Sequence, residues 1–461
     1  MPEVGVPRMI RLVSLGGALS AVVTVAAREE TTPIEGALLL LALVGGAFAL
    51  GASALARRDW FHPSAFPVLY VSVTLSFPAL YLVFIGGSVG AINPSDVSGE
   101  VIAIFGLTIV GLLAGVFAGT RVRAPGSSSS RLIDPRRLRL LGRGTLFVSL
   151  VLRGTVLAAN AGGRYGEGSV NFGAGQALDN LAVALFFVGC CLVVVGNLHI
   201  EGKAVGRWDL LLLAGFATPT LVSGSRGELI APFLFVCWAH HTYVRTIGLK
   251  LLVGLTLITL VVFQGVLGIR AGESFYGGLQ EGTERTLIAV GTPLLITHSL
   301  VERVPGGFSG GDTYVAAAKR QLPGPIAVAV FGPPDDTGTF VFREIMNFDS
   351  PDAGFGFSFP SESYLNFGLP GAFGAAVLAG LIVGLAFVPR PALPTRAAHL
   401  LYPVIVVWMP FALKADALAQ VKTVLYPMLI FTLAFALSRS ARALARPASD
   451  RRGEPKIGEG T

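Results

Sequence analysis

The chain of 461 residues is 52% hydrophobic and only 14% charged, and its mean hydropathy is +0.68. Because soluble domains carry about 25% charged residues, this composition excludes an ordinary soluble protein and predicts an integral membrane protein. The formal net charge of +7 is concentrated in short loops and in the C-terminal tail, which indicates an orientation in the membrane and no nucleic-acid partner.

Long, continuously apolar segments predict an all-α polytopic membrane protein with about 12 transmembrane helices, because barrel strands would alternate over about ten residues. The predicted spans are 10–27, 35–56, 65–87, 100–119, 143–161, 177–197, 208–222, 228–246, 249–269, 363–388, 398–413 and 423–440. Basic residues follow every even-numbered span, as Arg57 and Arg58 follow the second. The positive-inside rule then predicts a membrane protein with both termini in the cytoplasm. The first apolar stretch has no convincing cleavage site and is interpreted as a retained helix.

One long segment on the outer side divides the predicted spans. Nine helices fall in residues 1–269, the outer loop in 270–362, three helices in 363–440 and a basic cytoplasmic tail in 441–461. The loop contains apolar stretches at 286–300 and 314–331 that proline or glycine interrupts, and both are too short to cross the bilayer. We expect interfacial or re-entrant helices there, folded over a cavity as a lid.

Arginines on the outer side are the main candidates for binding an anionic ligand. Arg226 lies in the turn Ser-Gly-Ser-Arg-Gly between two apolar segments. Gly224 and Gly227 allow backbone N–H groups to approach a ligand closely, and Ser225 and Gly227 are predicted to contact substrate. A guanidinium beside a helix N-terminus suits a phosphate group. The alternative is an interfacial arginine paired with Glu228.

Arg153 interrupts the fifth predicted span, and a charge inside the membrane is a functional hypothesis by default. We expect it to bind the same anion. The alternatives are snorkelling to the outer headgroups, or an ion pair with Asp179 or Glu273. Three further arginines on the outer side complete the predicted anion-binding set: Arg164, Arg270 and Arg343.

A carboxylate at the entry to the tenth span is the main candidate for a general base. Glu362 is placed to accept a proton from a substrate hydroxyl, or it serves only as a negative charge at a helix N-terminus. His298, the one histidine of the long outer loop, is the second candidate base, and a structural histidine is its alternative. Tyr314 and Tyr364 are predicted to contact substrate.

The sequence gives no sign of a metal centre or a nucleotide site. The three cysteines lie inside apolar segments and predict packing residues, and the titratable side chains lack metal-ligand spacing. A P-loop is missing. We therefore expect no cofactor, no metal and no nucleotide-driven reaction.

Several segments resemble a known family. Ser223-Gly-Ser-Arg-Gly-Glu228 resembles a turn of bacterial O-antigen and oligosaccharide repeat-unit polymerases, the Wzy-type membrane glycosyltransferases. Similar to the long-loop pattern of that family are Gly310-Gly-Asp-Thr-Tyr314, Leu322-Pro-Gly324 and Ser361-Glu-Ser-Tyr-Leu-Asn-Phe-Gly-Leu-Pro-Gly371. The family has also been described with a glycine eleven positions after an arginine, as Gly175 follows Arg164 and Gly354 follows Arg343 here. The third outer loop is shorter here than in that pattern.

The resemblance implies a C-type membrane glycosyltransferase that needs no metal. It would move a growing oligosaccharide from polyprenyl diphosphate onto the terminal sugar of another lipid-linked repeat unit. Arginines would bind the diphosphate, and Glu362 or His298 would take the proton of the acceptor hydroxyl. Membrane lipids and a chain-length regulator are the further partners implied.

Two other functions stay open at this stage. A ligase of the O-antigen type would share the arginine-lined cavity and differ in its acceptor. A transporter or flippase of lipid-linked sugars would show internal repeats with paired broken helices. The long loop instead divides the predicted spans nine to three, which favours the polymerase.

Overall fold

In the computed structural model of the protein, the described residues are 8–26, 32–56, 59–86, 93, 97–122, 133–159, 174–223, 227–248, 250–251, 254, 257, 261, 291–304, 309–319, 321, 324–332, 358–388, 392–412 and 417–438. Regular secondary structure in this part of the chain is helical, which confirms the predicted all-α class. Most of the ninth predicted span and much of the long loop lie outside the described residues.

The helices that precede the loop are α1 (Arg8–Ala26), α2 (Pro33–Ala56), α3 (Phe66–Tyr81), α4 (Gly99–Gly119), α5 (Pro135–Ala159), α6 (Ala174–Glu201), α7 (Arg207–Ser223) and α8 (Gly227–Ala239). In the loop, residues 291–303 form α9, followed by α10 (Asp312–Lys319) and α11 (Gly324–Phe331). The last three helices are α12 (Phe359–Ala386), α13 (Leu401–Ala412) and α14 (Ala417–Leu437). Short π-helical turns extend α3 over Leu82–Gly86 and α8 over His240–Val244.

Five stretches of the described residues are long and apolar enough to cross a membrane: Pro33–Ala52, Phe66–Ile85, Gly99–Gly119, Leu181–Glu201 and Phe359–Ala386. Shorter apolar helices cover Gly16–Val25, Leu229–Val244, Ala397–Phe411 and Val421–Leu437. The described part of the chain is therefore that of a helical membrane protein.

Helices α4 and α12 pack closely and run in the same direction. Along α4, Gly111 faces Phe373, Gly115 faces Val377 and Gly119 faces Leu381. A methyl group on Gly115 would collide with the Val377 carbonyl, so the two backbones touch only because small residues line the contact. The fourth and tenth predicted spans must also run in the same direction, so the packing agrees with the predicted alternation.

Helices α5 and α6 form a second close pair, which is antiparallel. A Cβ atom on Gly189 would lie 2.9 Å from the Gly142 carbonyl oxygen. Further along α5, the Ser149 hydroxyl donates to the Ala182 carbonyl at 2.7 Å. From one contact to the next, the residue number rises in α5 and falls in α6. The two helices therefore run in opposite directions, as expected for consecutive spans joined by a loop.

Helix α5 begins at Pro135, before the predicted start of the fifth membrane span at residue 143. The Asp134 carboxylate accepts hydrogen bonds from the backbone N–H groups of Arg136 (3.0 Å) and Arg137 (3.3 Å), which caps the helix. Proline is favoured at the first helical position. Much of the basic segment assigned to a loop therefore forms the first turns of α5.

Candidate functional site

Helix α12 is broken near its start. Phe367 (φ −141°, ψ 15°) and Gly368 (φ 66°, ψ −156°) depart from helical geometry, and the positive φ is one that glycine adopts without steric cost. Pro370 has no N–H group, so it cannot donate to the Asn366 carbonyl one turn earlier. The break therefore releases backbone carbonyls at the N-terminal end of a candidate membrane span.

A turn of the long loop satisfies the released carbonyls. The Ser309 N–H donates to the Leu365 carbonyl at 2.9 Å, and the Gly310 N–H donates to the Asn366 carbonyl at 3.1 Å. Gly310 (φ 61°) and Gly311 (φ 102°) both lie in the left-handed region, so the turn depends on glycine. The two consecutive glycines before α10 are therefore explained by the backbone conformation of this turn.

Side chains continue the contact between α10 and α12. The Thr313 hydroxyl donates to Glu362 Oε1 at 2.8 Å. The Asn366 amide nitrogen donates to Thr313 Oγ1 at 2.6 Å and to the Glu362 carbonyl at 2.8 Å. The Ser309 hydroxyl donates to Asn366 Oδ1 at 2.9 Å. Glu362 is only 2% exposed, so its carboxylate lies inside a polar network enclosed by protein. We call Ser309, Thr313, Glu362 and Asn366 the outer network.

Both predicted tyrosines border this network. The Tyr314 hydroxyl and Ser363 Oγ are 2.9 Å apart, and the Ser363 hydroxyl donates to the Phe359 carbonyl at 2.7 Å, so Tyr314 donates to Ser363. Burial raises the pKa of Tyr314 to about 12, the hydrogen bond with Ser363 opposes this shift, and the nearby Glu362 charge adds to it. Tyr314 therefore keeps its proton at neutral pH and acts as a donor.

Tyr364 ties the network to the neighbouring membrane helix. Its hydroxyl donates to Glu100 Oε1 at 2.5 Å, and Glu100 lies in the first turn of α4. Since α4 and α12 are parallel, their N-terminal ends meet at the same end of the bundle. The alternation of predicted spans assigns this end to the outer side of the membrane.

His298 lies close to this region without a described bond to Glu362. The preceding residue, Thr297, is within hydrogen-bonding distance (2.7 Å) of Ser361 on α12. His298 Nε2 itself lies 3.8 Å from Glu302 Oε2, one turn along α9. The structure thus brings α9 to the start of α12, while the role of His298 as a second base stays a prediction.

Arg153 is enclosed by protein, with a side chain that is 1% exposed. It lies in α5 one turn beyond Ser149, whose hydroxyl bonds to α6. This position disfavours the interpretation that Arg153 snorkels to the lipid headgroups. The side chains of its two suggested partners, Asp179 and Glu273, lie outside the described residues.

Four predicted anion-binding arginines fall outside the described residues: Arg164, Arg226, Arg270 and Arg343. Ser225 also falls outside them, whereas Gly227 is the first residue of α8. Their predicted roles are neither supported nor opposed by the structure.

Sequence reasoning missed Ser309, Thr313, Asn366 and Glu100. A signal for the break was present, because Gly368 and Pro370 interrupt an otherwise helical pattern. The hydrogen-bond partners themselves are 49 to 264 positions apart in sequence, and only the packed structure brings them together.

Comparison with known proteins identifies no relative: no family model, no curated protein and no solved structure matches the chain. Within the described residues, His, Cys, Asp and Glu side chains do not form a group of three suited to a metal ion. Any functional conclusion must therefore be argued from the residues and their geometry.

Proposed function

We propose that this protein is a membrane glycosyltransferase of the C-type fold, with about 12 transmembrane helices, that polymerises lipid-linked oligosaccharide repeat units. It would act at the outer leaflet of the bacterial inner membrane, with both termini in the cytoplasm. The growing chain is transferred from polyprenyl diphosphate to the terminal sugar of a second lipid-linked repeat. A chain-length regulator is the expected protein partner.

One observation carries this proposal. The segments 310–314 and 361–371 resemble two motifs of the polymerase family, and they lie far apart in sequence. Hydrogen bonds join them at Thr313 with Glu362 and at Tyr314 with Ser363, across 49 positions in each case. Two segments chosen by resemblance alone therefore form one polar site at the end of the bundle.

The chemistry assigns a role to each group. The acceptor hydroxyl attacks the anomeric carbon, the new glycosidic bond forms, and the bond between that carbon and the diphosphate oxygen breaks. Glu362 takes the hydroxyl proton, with His298 as the second candidate. The lipid diphosphate leaves with an added negative charge, which cationic side chains stabilise. The cationic side chains are those of Arg153, Arg164, Arg226, Arg270 and Arg343. Further contacts with the substrate come from Ser225, Gly227, Tyr314 and Tyr364.

A transporter or flippase of lipid-linked sugars is the second candidate function. The broken helix α12 favours it, because transporters build substrate sites from discontinuous helices near the middle of the membrane. The break in α12 follows its second turn, close to one end of the bundle, which suits a reaction at one leaflet better. A ligase would use the same site with a different acceptor.

The decisive experiment uses purified full-length protein in proteoliposomes. A fluorescent polyprenyl-diphosphate-linked repeat unit is supplied without nucleotide and with a metal chelator. A ladder of products supports the polymerase, transfer to a non-prenyl acceptor alone supports the ligase, and movement between leaflets without new bonds supports the transporter. Arg226→Ala should abolish the ladder while the protein stays folded and inserted, and a normal ladder from that variant would remove the diphosphate-binding role of Arg226.

A further inference from the structure

The outer network has a defined direction of hydrogen bonding. The Glu362 backbone carbonyl accepts hydrogen bonds and cannot donate them, so the Asn366 atom that faces it at 2.8 Å must be the amide nitrogen. The same nitrogen lies 2.6 Å from Thr313 Oγ1. The Asn366 carbonyl oxygen then faces Ser309, whose hydroxyl donates to it. The orientation of the amide is thus fixed by its neighbours.

This orientation determines where the Thr313 proton points. Thr313 Oγ1 receives a hydrogen bond from Asn366 and has one proton of its own to donate. Glu362 Oε1 lies 2.8 Å away and accepts it. A hydrogen bond donated to a carboxylate stabilises the charged form, which is the form that can take up a proton.

We infer that Thr313 and Asn366 are positioning residues that hold Glu362 as an oriented proton acceptor. The inference rests on the proposed function of Glu362 as a base. Thr313 belongs to the loop helix α10, whereas Glu362 and Asn366 belong to the membrane helix α12. The hydroxyl that donates to Glu362 Oε1 therefore comes from the loop and not from the helix that carries Glu362.

The first test compares two substitutions of one hydroxyl. Thr313→Val keeps the branched shape and removes the donor, and Thr313→Ser keeps the donor. We expect the kcat of Thr313→Val for polymerisation to fall about 100-fold, the lower end of what a positioned proton acceptor contributes, with KM little changed. Thr313→Ser should stay close to wild type. A valine variant with wild-type kcat would overturn the inference.

The second test needs no sugar substrate. Carbodiimides modify protonated carboxyl groups, so an apolar carbodiimide reports how strongly Glu362 is held as a carboxylate in the full-length protein in proteoliposomes. Modification at Glu362, followed by peptide mass spectrometry, should be faster in Thr313→Val and in Asn366→Leu than in wild type and Thr313→Ser. Glu362→Gln supplies the unmodified control. Equal rates in all four proteins would contradict the inference.

Together, the two tests distinguish the proposed polymerase function from the positioning of Glu362 by Thr313 and Asn366. If wild type forms no polymer but the labelling rates differ as expected, the proposed function fails and the positioning of Glu362 stands. If wild type polymerises and Thr313→Val matches it in both kcat and labelling, the positioning role fails and the proposed function stands.

Discussion

Two buried polar networks, on opposite predicted sides of the membrane, differ in construction. At the predicted cytoplasmic side, the Asp209 carboxylate accepts three hydrogen bonds. The donors are Arg143 Nε at 2.8 Å, Asn197 Nδ2 at 2.7 Å and the Gly206 N–H at 3.1 Å. Among the described residues of the outer network, Glu362 Oε1 accepts a hydrogen bond from the Thr313 hydroxyl. The network at Asp209 is an ion pair with two further hydrogen-bond donors. The outer network places a carboxylate among polar groups from a loop and from a broken helix.

The contrast distinguishes a carboxylate with a structural role from one that we propose to be a base. Asp209 joins the ends of α5, α6 and α7, which are continuous helices, and its partners neutralise its charge. Glu362 precedes the break in α12 at Phe367 and Gly368, where a turn of the loop donates to the released backbone carbonyls. Broken backbone inside a membrane protein is tolerated where it lines a site or is buried in protein. Four predictions follow from the contrast, in order of decreasing effect.

Replacement of Glu362 by glutamine should have the largest effect on activity. Removal of a general base lowers kcat by about 10²- to 10⁴-fold, whereas the amide still accepts the Thr313 hydrogen bond and preserves the packing. Turnover in proteoliposomes and thermal unfolding would be measured together. The matched control is Glu35→Gln, an exposed carboxylate in the first turn of α2. Equal turnover by both variants would return Glu362 to the role of a helix N-terminal charge.

Replacement of Asp209 by asparagine should act on stability and leave turnover per folded molecule unchanged. Breaking a buried pair typically costs about 3–5 kcal/mol, and we expect a loss at or below the lower end because the Arg143 side chain is 34% exposed. Chemical unfolding of the purified protein measures this loss. Glu201→Gln is the control, since its pair with Arg139 is solvent-accessible and should contribute less than about 1 kcal/mol. Lost turnover with full stability in Asp209→Asn would erase the contrast between the networks.

Replacement of Gly380 by alanine should loosen the α4–α12 contact that supports the outer network. A methyl group there collides with the Leu112 carbonyl, and overpacking of this kind costs about 1–3 kcal/mol. Gly374→Ala on the same helix is the control, because a Cβ atom there meets no other group within 4 Å. Thermal midpoints in detergent should fall for the first variant alone. Equal midpoints would mean that the two helices are less closely packed than described.

The smallest effect concerns Tyr314. Its pKa is raised from 10.0 to about 12 in the folded protein, so the folded state holds the phenol proton more tightly than the unfolded state. The resulting stabilisation is present below pH 10 and is lost as the pH rises towards 12. Wild type should therefore lose more stability than Tyr314→Phe between pH 9 and pH 11, by thermal unfolding. Parallel curves for the two proteins would contradict the burial of the Tyr314 hydroxyl in the folded protein.

Sequence patterns predicted the continuous helices well and the site only in part. The apolar run at 100–119 predicted α4 almost to the residue, because an uninterrupted apolar segment has a single stable conformation in a membrane. Glu362, Tyr314 and Tyr364 were chosen by residue type and resemblance, and all three lie at the same end of α12. Thr313 and Asn366 were missed because their importance arises from a contact across 53 positions, which no local pattern encodes.

The proposed function requires that the bond between the sugar and the lipid diphosphate is broken. Wild-type protein in proteoliposomes would be given a polyprenyl-diphosphate-linked repeat unit, without nucleotide, and both released lipid diphosphate and new glycosidic bonds would be counted. The proposed polymerase reaction releases one molecule of lipid diphosphate for each repeat unit added. Transfer of repeats across the bilayer with neither product would contradict it and establish a transporter instead.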